Sequence, residues 1–462
     1  MLLRYLKKIF YNSVAELSLN KIVFTKKEIW RVAYPILISL VVQNLINITD
    51  TAFLGRVGEI ELGASALAGV YYMSVYMIGF GFSTGAQRLM ARRNGEGRYS
   101  AIGSIMLQST FFMILLAALL FGINDICAPW FLHWMISSEA IYSATIEFLD
   151  YRIFGLFFSF VAAMFRAFYV GITQTRILTV NAVIMALANI ALNYMLVFGK
   201  FGCPEMGIAG AALGSVLSEF ISVIFFMLYT GMKVDGEKYA FFNISGFDPK
   251  VIVRVLSVSI WTMIQFFLPI ITWFIFFVAI EHLGERSLAI ANIVRSVSTI
   301  FFMPVNAFAA TSCTLVSNAM GAGRPQEVMP IARRIIRICY MIIIPLMFFV
   351  FVQPTLLLHI YTDNEALIKE SIPSLFTMVL YYLITVPGSI FFNTVAGTGN
   401  TKSTFLIEMI TAGVYLLAIY FIIFWWRPSV QYCWFVEYIY WIVTLSISFF
   451  YLKKANWKNK KI

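Results

Sequence analysis

The chain has 462 residues, of which 60% are hydrophobic and only 12% charged, with a net charge of +11. Soluble domains carry about 25% charged residues, so this composition excludes a soluble globular fold and implies an all-α integral membrane protein. The basic excess is assigned to loops on the cytoplasmic side of a bilayer and not to nucleic acid.

The N-terminal stretch 1–28 is basic and partly amphipathic, without the uninterrupted apolar core of a cleavable signal, and is expected to lie on the inner membrane surface. Apolar runs long enough to cross a bilayer then follow at 29–55, 62–87, 100–122, 140–170, 177–198, 208–231, 251–281, 287–314, 330–357, 367–396, 402–425 and 430–452. These are twelve predicted transmembrane helices. A cytoplasmic linker at 232–250 separates a six-helix bundle at 29–231 from a second at 251–452, and a basic tail fills 453–462. With both termini placed in the cytoplasm of a cell (inner) membrane, 26 of the 34 Lys and Arg fall on the inner side and five outside. Arg152, Arg166 and Arg295 remain within spans.

Three loop pairs repeat at a common offset of 226: "GEIEL" at 58 with "GERSL" at 284, "GEGR" at 95 with "GAGR" at 321, and "GITQTR" at 171 with "GTGNTK" at 397. Two parallel six-helix repeats enclose a cavity at their interface, and rocking of such halves gives alternating access.

Within the first span, Asp50 follows Asn47 by three residues and Gln43 by seven, so the three share a helical stripe. An acid in hydrocarbon costs roughly 3 kcal/mol, which directs it toward protein or water. The plainer alternative is an acid hydrated by headgroups. On the fifth span Asn189 and Asn193 stand four apart, and on the sixth Ser215, Glu219 and Ser222 form another stripe. Counted at 1.5 Å per residue, Asp50, Asn189, Asn193 and Ser215 reach similar depths in the outer half of the first bundle. Oxygen-rich clusters of this kind suit a proton or a small hard cation. Hydrogen bonding that merely packs helices is the alternative for the two asparagines. Glu219, nearer the bilayer centre, is a second buried-acid candidate or a neutral packing residue. Glu147, Asp150 and Arg152 are read as pairing among themselves, Arg166 as snorkelling, and Arg295, Glu408 and Glu437 as lacking obvious partners. The five cysteines and three histidines are scattered, so neither a disulfide framework nor a metal site is expected, beyond Na⁺ at Asp50, Asn189 and Asn193.

The ordered stretches "YPILISLVVQNLINITDTAFLGRVG", "GFSTGAQRLMARRNGEGR", "FRAFYVGITQTR", "LANIALNYMLVFGKFGCPEMGIAGAALGSVLSE" and "VAGTGNTKST" resemble the multidrug and toxic compound extrusion (MATE) family over about residues 28–450. The resemblance implies a V-shaped twelve-helix antiporter, not an enzyme. It would need no cofactor and would export small organic cations, drug-like molecules among them, in exchange for inward H⁺ or Na⁺, with H⁺ preferred. A monomer would be the working unit. It also implies that Asp50, Asn189, Asn193 and Ser215 occupy the family's ion-coupling positions, with Asn193 where many members carry a carboxylate. Positions at which some members carry further acids, on the seventh and tenth spans, are Pro269 and Pro387 here. The competing expectation is a flippase for lipid-linked saccharides, which would want Arg152, Arg166 and Arg295 lining one chamber.

Overall fold

The computed structural model describes residues 24–136, 138–241, 248–362 and 364–458. Most of the basic N-terminal segment, the middle of the 232–250 linker and the last four residues of the tail lie outside the described residues. The chain enters through a capping box: the Thr25 hydroxyl accepts from the Glu28 amide, and the Glu28 carboxylate accepts from the Thr25 amide at 2.8 Å. That box starts α1 (Lys26–Val57), followed by α2 (Glu59–Gly95) and α3 (Tyr99–Met135). The fourth span is broken into α4 (Glu139–Arg152) and α5 (Gly155–Gly171), bent by 51°. Two further spans, α6 (Arg176–Val197) and α7 (Gly207–Lys233), complete the first half.

The second half begins with α8 (Pro249–Gln265) and α9 (Phe267–Glu281), one span interrupted where Pro269 deprives the helix of an amide donor. Next come α10 (Glu285–Gly321), α11 (Val328–Val352), the short α12 (Pro354–Leu358), α13 (Glu365–Gly397) and α14 (Thr401–Ile419). The last of these runs on as a π-helix over Tyr420–Trp426 before α15 (Val430–Cys433) and α16 (Phe435–Lys454). Eleven helices or helix pairs meet the length and hydropathy of a membrane span, and counting the bent α4–α5 pair gives twelve. The two six-helix bundles anticipated from the repeats are therefore present. Several boundaries move, among them two: α3 runs to Met135 instead of stopping at 122, and α2 runs to Gly95 instead of 87.

The second shift has a physical cause. Arg88, Arg92 and Arg93 are not loop cations; all three are buried on α2. The other half of the molecule covers them, and each makes a polar contact inside the protein. Arg88 donates to the Thr262 hydroxyl at 2.7 Å, and Arg92 and Arg93 ion-pair with Glu96.

Proline tolerance is built in as well. Pro35 on α1 leaves the Arg31 carbonyl without its helical donor, and the Thr175 hydroxyl donates to that oxygen at 3.3 Å and to Val32 O at 3.1 Å.

The halves join near the face that carries the described ends of the chain, hereafter the terminal face. Gln87 donates to Thr314 at 3.0 Å, Asn94 to Asn318 at 2.6 Å, and Arg334 to the Phe24 carbonyl at 3.0 Å. The Trp30 and Phe308 rings meet at 5.9 Å and those of Phe80 and Phe266 at 5.5 Å. Beyond Phe80 and Phe266, no ring contact or hydrogen bond between the halves is found among the described residues. The bundles diverge from there, giving a V that opens on the opposite face. That face carries a belt of exposed tryptophans, Trp130, Trp134, Trp425 and Trp426, as expected at a membrane–water interface.

Candidate functional site

Inside the first bundle, α1, α6 and α7 pack closely enough to bring four polar side chains into one line. Close approach of α6 and α7 depends on glycine. A Cβ on Gly210 would fall 2.5 Å from the Leu196 carbonyl oxygen, and one on Gly214 would fall 2.0 Å from Asn193 Oδ1. The "GIAGAALGS" run is thus the surface against which the asparagine face of α6 is seated.

On that seat, Asn193 donates its amide to Asp50 Oδ1 at 2.6 Å and to Asn189 Oδ1 at 3.4 Å, and Asn189 donates to Ser215 Oγ at 3.3 Å. Asn189 and Asn193 are buried, whereas Asp50 is half-exposed at the end of the line. Both amide hydrogens of Asn193 point at neighbours, and its own Oδ1 is buried without a partner. A carboxylate at one end, an unmatched amide oxygen beside it and a hydroxyl at the other end form an acceptor-rich row that can take up a proton or a small cation. Among the described residues, no group of three or more His, Cys, Asp or Glu side chains has metal-binding geometry.

The structure leaves Gln43 and Asn47 outside this row. Both are exposed on α1, and neither side chain makes a hydrogen bond among the described residues. Three residues of helix turn through about 300°, so Asn47 points some 60° away from Asp50, while Gln43 lies two turns nearer the terminal face. Two turns further along α7, Ser222 donates to Asn181 Oδ1 at 3.0 Å, tying the same two helices together.

Glu219 is not a neutral packing acid. Arg152 grips it in a fork, with Nη2 at 2.6 Å from Oε1 and Nη1 at 3.0 Å from Oε2. The guanidinium carbon also lies 3.8 Å from the centre of the Tyr72 ring, and the Tyr72 hydroxyl meets Ser159 at 3.3 Å. This corrects the expected pairing of Arg152 with its helix neighbours Glu147 and Asp150. The break between α4 and α5 turns Arg152 inward, and Gly155 makes the room: a Cβ there would come within 2.2 Å of Arg152 and 2.6 Å of Glu219. Sequence reasoning missed Arg152 and Tyr72 as members of this site. A lone arginine next to the Gly155 break was the available signal.

In the second bundle Glu408 and Glu437 are buried and accept from tyrosine hydroxyls, Tyr440 at 2.6 Å and Tyr415 at 2.7 Å. Arg295 lies over the Phe277 ring at 5.1 Å. Of the three cations that a saccharide flippase would gather, Arg152 and Arg295 are not pooled: Arg152 ion-pairs with Glu219 inside one bundle, and Arg295 rests on an aromatic ring of the other.

The MatE family model matches residues 35–195 and again 262–422, two segments displaced by 227 positions (262 less 35), close to the repeat offset in the sequence. A probable multidrug resistance protein NorM from Thermotoga maritima is 26% identical over 412 residues, covering 86% of this chain and 85% of that one. The multidrug resistance protein NorM of Vibrio cholerae serotype O1 is 24% identical over 285 residues, 61% of this chain and 62% of that one. Among solved structures, an outward-facing multidrug resistance MATE family transporter of the MOP superfamily superposes with a TM-score of 0.85 at 17% identity, over 93% of this chain and 95% of that one. A MOP superfamily transporter from Pyrococcus furiosus, described as having a binding pocket of reverse polarity, gives 0.84 at 17% identity over 93% and 97%. With the family model covering most of both bundles, this chain belongs to the MatE family of membrane transporters.

Proposed function

We propose that the protein is a multidrug exporter that exchanges small organic cations for inward protons through Asp50. The observation that carries this reading is the Asp50–Asn193 hydrogen bond, with the Asn193 amide oxygen left unmatched beside it. When Asp50 is ionised, it accepts from the Asn193 amide. Once Asp50 takes up a proton it becomes a donor; with the Asn193 and Asn189 amides both rotated, the Asn193 oxygen accepts from Asp50 and Asn189, and the Asn189 oxygen accepts from the Ser215 hydroxyl. The row Asp50–Asn193–Asn189–Ser215 therefore has two self-consistent hydrogen-bond patterns, one for each charge state.

The terminal face, rich in Lys and Arg, is assigned to the cytoplasm of the cell inner membrane, with both termini there. The halves then stand sealed inside and open outside. In this outward-open state a proton reaches Asp50, its charge is neutralised, and its attraction for a cationic substrate in the cleft is lost. Substrate leaves outward, the halves rock, and the proton departs inward as new substrate binds. Competition of two cations for one negative group makes the exchange obligatory. A single carboxylate among neutral oxygens favours the proton over Na⁺, which gains more from several charged ligands. The exporter is proposed to act as a monomer.

The test is transport of a fluorescent organic cation into inverted vesicles, with pH and Na⁺ gradients imposed separately, for the wild type and Asp50→Asn. Proton-driven uptake that disappears in the variant, with the protein still inserted, is the expected result. Uptake that follows the Na⁺ gradient alone, or full coupling in Asp50→Asn, would overturn the assignment.

A further inference from the structure

On the terminal face a cavity of about 310 Å³ opens between the start of α11 and the end of α16. Arg333, Lys453 and Lys458 line it, and no carboxylate does among the described residues. The chain constructs this site after its last span has ended. Trp457 folds back and is buried, donating its indole N–H to the Leu452 carbonyl at 3.0 Å, which holds Lys458 over the same opening as Lys453. Met329, Leu452 and Phe449 supply apolar walls, and Phe449 lies one helical turn deeper along α16 than Lys453. On the α11 wall the order is the reverse, with Arg333 one turn deeper than Met329, so cations stand at two depths and Phe449 is the deeper apolar surface on the α16 wall.

We infer that this cavity binds the phosphodiester headgroup of an anionic membrane lipid, with an acyl chain lying along Phe449. A zwitterionic lipid would bring an ammonium group against three cations with no carboxylate to receive it. Free phosphate shares the anion chemistry but makes no use of the apolar walls. Each cation near the surface contributes roughly fivefold to affinity for an anionic lipid, so three together contribute about 100-fold.

The experiment titrates phosphatidylglycerol, phosphatidylcholine and inorganic phosphate into the full-length protein in detergent and reads bound lipid by native mass spectrometry. Phosphatidylglycerol should bind about 100-fold more tightly than phosphatidylcholine and resist competition by phosphate. That preference should vanish in Arg333→Gln/Lys453→Gln/Lys458→Gln, whose substituted side chains are exposed and leave the fold intact. Arg176→Gln/Lys233→Gln/Lys402→Gln, which removes the same charge from the same face, should keep it. Equal binding of the two lipids, equal loss in both triple variants, or displacement of phosphatidylglycerol by phosphate at matched concentration would each overturn the inference.

Discussion

Gly95 and Gly321, 226 positions apart (321 less 95), face each other's helices across the joint between the halves. A Cβ on Gly95 would fall 2.0 Å from the Asn318 carbonyl oxygen, and one on Gly321 would fall 2.1 Å from that of Arg92. The repeat offset also relates the facing residues, since Arg92 and Asn318 differ by 226 as well. The joint is therefore a two-fold self-contact of the duplicated chain, made possible by two missing side chains. Gly95→Val and Gly321→Val should each prevent the seam from closing. Spin labels on α2 and α10 near the terminal face should then report separations longer than in wild type, and transport should fall at least tenfold while insertion persists. Unchanged label distances would show that the seam relaxes around the added carbons.

The polar row depends on its glycine seat as much as on its ligands. Gly214→Ala places a methyl group where Asn193 Oδ1 now lies, so Asn193 must leave Asp50 or α7 must move. The expected outcome is loss of gradient-driven transport comparable to Asp50→Asn, although residue 214 has no ionisable group. Transport assays in vesicles, normalised to inserted protein, decide this.

Much of this row was legible from periodicity alone. Asn189 and Asn193 stand one turn apart, and the lengths of the fifth and sixth spans set their depth against Ser215 and Asp50. The Arg152–Glu219 fork was not legible. The two residues are 67 positions apart, and their meeting depends on a 51° break whose direction no apolar pattern encodes. Arg88, Arg92 and Arg93 were misplaced for a related reason. Hydropathy falls where they begin, as it does at a span end, yet the helix continues because the other bundle replaces lipid as its cover. Residues whose surroundings come from the opposite half cannot be ranked by local hydrophobicity.

The ion pair itself makes a second kind of prediction. Removing one member of a buried pair strands the other charge and costs about 3–5 kcal/mol, while replacing both by apolar residues is often neutral. Arg152→Met and Glu219→Met should each lower the unfolding midpoint sharply in a detergent thermal-shift assay. The double variant should recover most of that loss. A double variant that is as unstable as the sum of the singles would mean that Tyr72 and the Gly155 break, not the charge balance, hold this region.

Pro35 and Thr175 are open to the same cycle. Thr175→Val leaves the Arg31 carbonyl with no hydroxyl donor and should cost about 1–3 kcal/mol. Pro35→Ala restores the helix's own amide donor to that carbonyl, so the cost of Thr175→Val should shrink to below about 1 kcal/mol in its presence. Equal costs in both backgrounds would assign the Thr175 effect to Val32, its other acceptor.

Glu408 and Glu437 test how the second bundle tolerates buried acids. Each accepts from a tyrosine hydroxyl, and no Lys or Arg forms an ion pair with either among the described residues. A bare negative charge in such a place would lack compensation, so the carboxyl oxygen matters here as a hydrogen-bond acceptor and not as half of an ion pair. Glutamine supplies an oxygen of the same reach. Glu437→Gln and Glu408→Gln should therefore change thermal stability by less than about 1 kcal/mol, whereas Glu437→Leu should cost about 1–3 kcal/mol by orphaning the buried Tyr415 hydroxyl. Tyr415→Phe combined with Glu437→Leu should recover most of that cost, because both polar partners then leave together. If Glu437→Gln alone proves as damaging as Glu437→Leu, the carboxyl group has a role beyond this hydrogen bond, and ion coupling would have to be sought in both bundles.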